Sequence, residues 1–543
     1  MKQTLIVLVV CGFLASCTQI AGWSGGSKDS SSNKNDSLQS SLYKDESISA
    51  ANAYSDLFLD SNAVESFIQK EKLPDSTAAM VRNFYRSRNY EFAWFTGKGI
   101  TEPARGLWGL YSNEKDTVSE HLDKGLKEKM DSLIQDSTLS PSSNDPSFVH
   151  SELALTQELV QYAGSHPTAS INHQTLYHLV PAKRVDAMQL ADSILRQKDD
   201  VTAQNKTYSL LKKQLSKYYE IAKSGGWLAP PPEHVTYKKG VSGFTISAIK
   251  KRLHAENLFG TDTSNVFNDS LEAAIKNYQQ LNGFQPTGII NDSLITVMNV
   301  PAQERVKQIL VNMNRSLWMA PSVDSNHIEV NIPSFMLTAY EGGRKSFEMP
   351  VIVGKEGTGT VMFSGDIDQI VFDPVWNLPS SIVKNEIMPA MKKNPSYLKK
   401  HHMEVVNQNG DVPEVRQLPG KDNALGRVKF LFPNSFDIYL HDTPDKTAFT
   451  RNDRALSHGC IRVADPQKLA QYLLRDQQEW NMQKINAAMN AGKEQKVQVK
   501  TPEPVLITYF TAWVDEQGNM NFRNDVYSHD QESESKMFLS SQP

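Results

Sequence analysis

Residues 436–463 read FDIYLHDTPDKTAFTRNDRALSHGCIRV. Phe436 to Leu440 has the composition of a strand that delivers His441, a polar loop follows, and the stretch closes on Ser457-His458-Gly459-Cys460-Ile461-Arg462-Val463. Upstream, Val428 to Phe432 and the turn Pro433-Asn434 make this strand the second arm of a hairpin. Alternation extends in both directions. Ile328, Val330 and Ile332 alternate with polar neighbours, as do Phe347, Met349 and Val351 after the Gly342-Gly343 turn. Ile370-Val371-Phe372 precedes Asp373-Pro374-Val375-Trp376, and Val505 to Trp513, the turn 516–519 and Met520 to Tyr527 predict a last hairpin. Asp465-Pro466 caps a helix running through Leu469 and Leu473. The spacing predicts a mainly β domain over 301–530, entered through a helix carrying Val306, Ile309, Leu310 and Met313 and containing an insertion at about 384–420.

Before residue 301 the period is helical. Residues 237–300 predict three short helices, on Ile246, Ile249 and Leu253, then Leu271, Ala274, Ile275 and Tyr278 after an N-cap at Asp269, then a helix opening at Asn291. Residues 50–235 predict a mainly helical scaffold, in which the aromatic cluster Phe84, Tyr85, Tyr90, Phe92 and Trp94 reads as core. The break at Gly225-Gly226 and Pro230-Pro231-Pro232 ends it. Residues 18–49 read as a flexible tether and 531–543 as a disordered tail. Residues 1–17 carry one early lysine, an apolar run from Leu5 to Ala15 and small residues before Cys17, the pattern of an export signal too short to span a bilayer. The class is therefore multidomain α+β. With 39% hydrophobic and 22% charged residues a sizeable core is available, and a formal net charge of −4 offers no footprint for nucleic acid.

Of the three cysteines, Cys11 and Cys17 lie within the first 17 residues, which leaves Cys460 as a lone thiol in an exported chain. Such a thiol closes no intrachain disulfide and is oxidisable, so a nucleophile is its evident use. A thiol is only a few per cent thiolate at neutral pH, and an imidazole such as His441, 19 residues upstream, corrects this by accepting the proton. Backbone N–H groups around Gly459 and Cys460 suit a tetrahedral oxyanion, which implies acyl transfer through a thioester. Two plainer readings stay open on the residues alone: inert packing of Cys460, or zinc ligation, against which stand the missing second thiol and the lack of a His-Glu-x-x-His helix. His401-His402 reads as a solvated pair.

Three resemblances narrow this. Leu14-Ala15-Ser16-Cys17 resembles a lipoprotein lipobox, which implies lipidation of Cys17, a periplasmic location and an anchor in a bacterial membrane, expected to be the inner leaflet of the outer membrane. Leu253, Leu258, Phe267, Ala274, Tyr278-Gln279, Phe284, Gly288, Ile289 and Leu294 follow the order of the peptidoglycan-binding type 1 domain. His441-Asp442-Thr443 with Ser457-His458-Gly459-Cys460-Ile461-Arg462 resembles the signature of YkuD-type L,D-transpeptidases. Phe84-Tyr85, Asn314-Arg315, Trp318, Val330-Asn331-Ile332-Pro333, Val351-Ile352-Val353-Gly354-Lys355, Pro374-Val375-Trp376, Asn423-Ala424-Leu425-Gly426 and Tyr439-Leu440-His441 are similar to the large YcbB-like branch. The resemblance implies Cys460 as nucleophile and His441 as base, oriented by the Asp442 carbonyl, with Ser457, His458 and Gly459 shaping the site. Arg462 is expected in a buried ion pair rather than on a substrate carboxylate, and Trp376 and Tyr439 as pocket lining. The implied partners are donor and acceptor peptidoglycan stem peptides, with no cofactor and no metal, and the insertion is expected to act as a lid. The implied reaction is a 3→3 cross-link after loss of D-alanine. L,D-carboxypeptidase action, attachment of a protein to the stem, and a non-catalytic peptidoglycan-binding scaffold remain alternatives. Thr360-Val361 departs from the branch's Thr-Pro.

Overall fold

Helical periodicity in the N-terminal region becomes a bundle built on buried aromatics. The computed structural model describes residues 44–111, 124–135, 140–165, 171, 176–197, 205–319, 326–408 and 410–540. Cys11, Cys17, the export signal and most of the tether fall outside them. The main bundle helices are Ser61–Lys70, Asp75–Ser87, Glu102–Tyr111, Pro146–Ser165, Ala187–Arg196 and Lys206–Lys223, with a two-strand ladder of β1 (Phe95–Thr96) and β2 (Gly99–Ile100). Trp94 stacks on Phe84 with ring centres 6.3 Å apart and meets Trp318 edge-on at 6.1 Å, so the aromatic cluster is core. Residues 44–49 are packed rather than tethered: Ile48 is buried, and Asp45 pairs with Lys183 at 2.8 Å.

The second unit holds helices Phe244–Ala255, Asp269–Leu281 and Asp292–Met298 around Ile249, Leu253, Phe267, Ile275, Tyr278 and Leu294. The middle helix is capped by Asn268, whose side chain accepts from Leu271 N–H at 3.0 Å, one residue before the acid that the sequence suggested. Asn291 caps the third in the same way.

Beyond the connecting helix Ala302–Ser316, the strands β3 (His327–Asn331), β4 (Met336–Glu341), β5 (Arg344–Gly354), β6 (Phe363–Phe372), β10 (Val428–Leu431), β11 (Leu440–His441), β12 (Ala455–Ser457), β13 (Ile461–Val463) and β14 (Gln495–Thr508) make one sheet. Its order is β12-β5-β13-β11-β10-β6-β14-β3-β4, and β4 pairs again with β5, so all but β12 close into a ring. Closure removes most free edges. The inner face, including Val330, Leu337, Val351, Ile370, Phe430, Leu440, Ile461 and Val463, packs with Leu469, Leu473 and Ile485 of helices Pro466–Leu473 and Met482–Met489. The insertion folds as its own layer: β7 (Trp376–Asn377), β8 (Met403–Asn407) and β9 (Glu414–Gln417) form a separate sheet, packed around Leu378, Val383, Ile387 and Val415. Among the described residues, no helix is long and apolar enough to cross a membrane.

Three expectations need correction. Val505 to Thr508 does not start the last hairpin but runs parallel to β3 in the main sheet; the hairpin is β15 (Ala512–Val514) against β16 (Met520–Phe522). The Asn331 side chain takes the Phe510 N–H at 2.8 Å and donates to the Phe510 carbonyl at 3.0 Å, which ends the ladder there. The arm drawn from Phe436 is strand only at Leu440–His441, because Asn434 holds residues 432–438 in a loop through bonds to Phe432 and Ile438. The tail is not disordered: His529–Met537 is a helix, and Met537 and Phe538 bury in the scaffold core beside Val185. Its polar sequence lacks an apolar stripe, so only docking reveals it.

Arg315 joins these parts. Its guanidinium meets Glu102 of the scaffold at 2.5 Å, Asp530 of the C-terminal helix at 2.8 Å and the Tyr509 carbonyl at 2.8 Å. Burial alone would lower its pKa, but Glu102 and Asp530 hold it well above the usual value. Replacing it strands two buried acids. We expect Arg315→Ala to lower unfolding free energy by about 3–5 kcal/mol in denaturant titration; a loss below about 1 kcal/mol would show that the junction does not depend on the pair.

Candidate active site

Two short parallel strands set the site. β11 pairs with β13 in the register Leu440↔Ile461 and His441↔Arg462. Successive side chains in a strand point to opposite faces, so with Leu440, Ile461 and Val463 in the core, Tyr439, His441, Cys460 and Arg462 share the outer face. Lys429 pairs with His441 across β10 and Ile352 with Arg462 across β5, which extends the same row. Cys460 sits beside Tyr439 and diagonal to His441.

The local geometry explains each side chain. His441 is buried, and its Nδ1 lies 2.5 Å from the Asp442 carbonyl. A carbonyl can only accept, so Nδ1 carries the proton and Nε2 keeps the lone pair. Burial, then the Arg462 and Lys429 charges, push the His441 pKa down to about 3, against the opposing pull of the Asp442 and Leu425 carbonyls. The Asp442 carboxylate turns away, to the Arg427 N–H at 2.8 Å and the Lys446 ammonium at 2.5 Å. Cys460 is partly buried; its Sγ donates to the Asp437 carbonyl at 3.5 Å and accepts from the Tyr439 backbone and hydroxyl. Burial raises the thiol above its ordinary value despite the Tyr439 bonds and Arg462. Ser457 braces the turn: its hydroxyl donates to the Cys460 carbonyl at 2.6 Å and accepts from Gly459 N–H at 3.3 Å. Gly459 has φ +117°, a conformation that a side chain would resist.

Not every expected residue joins this group. Trp376 belongs to the separate sheet of the insertion, paired with Gln417 and packed against the insertion's own core. His458 points out to the insertion, its Nε2 3.2 Å from the Glu386 carboxylate. Arg462 forms no ion pair among the described residues, contrary to expectation; its Nε is buried without a partner, and Asp445 supplies only a longer-range attraction. No group of three or more metal-ligating side chains is found among the described residues. Sequence reasoning missed Lys429, although its parity between Val428 and Phe430 marks an outward position.

Comparison with known proteins is consistent with this geometry. Residues 325–530 match the L,D-transpeptidase catalytic domain family (YkuD), 79–215 a scaffold domain, and 243–298 the family described as "Putative peptidoglycan binding domain". A Haemophilus influenzae protein described as "Putative L,D-transpeptidase" is 34% identical over 223 residues, or 38% of this chain and 45% of that protein. The match thus spans less than half of that relative's length. Among solved structures, an L,D-transpeptidase from Mycobacterium smegmatis is 13% identical over 34% of this chain and 58% of its own, with a TM-score of 0.20. One from Stackebrandtia nassauensis is 15% identical over 51% and 96%, with a TM-score of 0.23. The chain is a mixed α+β multidomain protein. It carries a YkuD-type L,D-transpeptidase catalytic domain and a peptidoglycan-binding domain behind a helical scaffold.

The resting pair is a neutral thiol and a neutral imidazole. Alkylation of Cys460 by iodoacetamide should therefore rise with pH through an apparent pKa above about 8.5, the value of a free thiol, with no inflection between about pH 5 and 8. A plateau beginning near pH 6 would instead reveal a standing thiolate–imidazolium pair. Because the fold keeps His441 neutral, the unfolded chain binds the extra proton below about pH 6.5. This residue's contribution to stability is accordingly lost as pH falls from there toward about 3.

Proposed function

We propose that this protein is an L,D-transpeptidase that forms 3→3 cross-links in peptidoglycan, with Cys460 as nucleophile and His441 as general base. The observation that supports this reading is the parallel pairing of β11 and β13, which sets the thiol and the imidazole on one face beside two cations. Cys460 Sγ attacks the carbonyl between the third stem residue and the terminal D-alanine as its proton passes to His441 Nε2. The resulting oxyanion accepts from backbone N–H at Cys460. Collapse breaks the C–N bond, the D-alanine amine leaves with the proton from His441, and the acyl group remains as a thioester. The side-chain amine of a diamino acid on a second stem then attacks, gives its proton to His441 and releases Cys460 as thiol.

The reaction requires Sγ to leave the Asp437 carbonyl and approach Nε2, in keeping with hydrogen bonds that tighten on substrate binding. Arg462 and Lys429 disfavour an imidazolium at His441, and the carboxylates of a stem peptide would offset them. The peptidoglycan-binding unit supports a polymeric wall substrate. We place the enzyme in the periplasm with a lipid on Cys17, on the sequence of residues 1–17 alone.

The test incubates tetrapeptide-stem muropeptides with the full chain and with Cys460→Ala. We expect D-alanine release and cross-linked dimers from the native protein and a fall of at least about 10³-fold in the variant. Release without dimers would make water the acceptor and the protein an L,D-carboxypeptidase. Binding to sacculi with neither product would leave a scaffold.

A further inference from the structure

A chain of hydrogen bonds runs from the C-terminal segment to the peptide that carries the Cys460 N–H. The Thr360 hydroxyl donates to the Gly459 carbonyl at 2.7 Å and accepts from Gly354 N–H at 2.9 Å. The Tyr527 hydroxyl donates to the Gly354 carbonyl at 2.5 Å and accepts from Thr360 N–H at 3.2 Å. Tyr527 is fixed in turn: its N–H donates to the Tyr509 hydroxyl at 2.7 Å, which donates to the Asp525 carboxylate at 2.6 Å. The loop packs closely, since a Cβ at Gly354 would overlap the Thr358 carbonyl and the Thr360 backbone, and Gly359 lies against the Tyr527 ring.

The Gly459 carbonyl and the Cys460 N–H belong to one peptide. That unit is planar and trans, so its C=O and N–H point in opposite directions. Pinning the oxygen on Thr360 aims the Cys460 N–H away from the Thr358–Thr360 loop. The neighbouring Gly459 N–H is already engaged by Ser457, and no backbone partner takes the Cys460 N–H among the described residues. The Gly459 peptide would otherwise be free to rotate, because a glycine at φ +117° resists little.

We propose that Thr360, held by Tyr527, is a positioning residue that fixes the direction of the Cys460 amide N–H as the oxyanion donor. Neither side chain touches the substrate, and both act through the Gly459–Cys460 peptide. A hydroxyl is required at position 360 because one atom must accept from Gly354 and donate to Gly459 together. This inference rests on the acyl-transfer reading of the site.

The test compares two reactions of the full-length protein. D-alanine release from tetrapeptide-stem muropeptides needs an oxyanion donor, whereas iodoacetamide alkylation of Cys460 forms no oxyanion. We expect Thr360→Val to lower kcat about 10- to 100-fold, with KM and the alkylation rate each within about twofold. Thr360→Ser should restore most of the rate, and Tyr527→Phe should show the same split to a lesser degree. Unchanged kcat in Thr360→Val, a parallel fall in alkylation, or a Thr360→Ser protein as slow as Thr360→Val would each overturn the proposal while leaving the transpeptidase reading intact. If Thr360→Val does not fold, Thr360→Ser and Tyr527→Phe against the native protein decide it. A native protein that releases no D-alanine would sink the acyl-transfer reading, and this inference with it.

Discussion

The site depends on one constraint: the register of two strands only two and three residues long. With β11 beside β13 at His441↔Arg462, one face carries Leu440, Ile461 and Val463 into the core and the other carries Tyr439, His441, Cys460 and Arg462 outward. A slip of one residue would invert the pattern, burying a guanidinium and a thiol in an apolar interior and exposing aliphatic side chains. Such short strands hold this register because each is locked from both sides, β11 by β10 and β13 by β5, within a sheet that closes on itself.

That arrangement shapes the electrostatics. His441 is buried between cations and keeps its neutral form, while the thiol is held protonated by burial. Among the described residues no carboxylate forms an ion pair with Arg462 or Lys429, and Asp445 and Glu494 attract them only from longer range. A substrate bearing carboxylates would supply one, so charge balance and reactivity are linked to occupancy rather than built into the resting protein. The insertion adds a further contact, with Glu386 meeting His458 next to the Cys460 turn.

The molecule's other organising feature is the return of its C-terminus. After the catalytic sheet the chain passes Tyr527 against the Thr358–Thr360 loop, gives Asp530 to Arg315 and ends with Met537 and Phe538 in the scaffold core. The helical scaffold, the connecting helix, the β15–β16 hairpin and the C-terminal segment thus share one buried cluster, and Arg315 ties it to the end of β14 at the Tyr509 carbonyl.

Much of this was legible in the residues. Period-2 alternation located β3 and β5, apolar runs beside turns located β6, β10 and part of β14, helical spacing located the small bundle, and Cys460 in Ser-His-Gly-Cys with His441 at a strand end singled out the pair that the sheet sets on one face. Local chemistry carries such signals because pleat, cap and turn each involve only near neighbours. Other features were not legible. The parallel joining of Val505–Thr508 to β3, the docking of a polar helix at 529–537, the pairing of Trp376 with Gln417 in a separate sheet, and the chain from Tyr527 through Thr360 to Gly459 each depend on partners far along the chain. Composition and spacing determined which groups could do the chemistry; tertiary packing alone decided which of them meet, since burial, register and peptide orientation are properties of the assembled sheet.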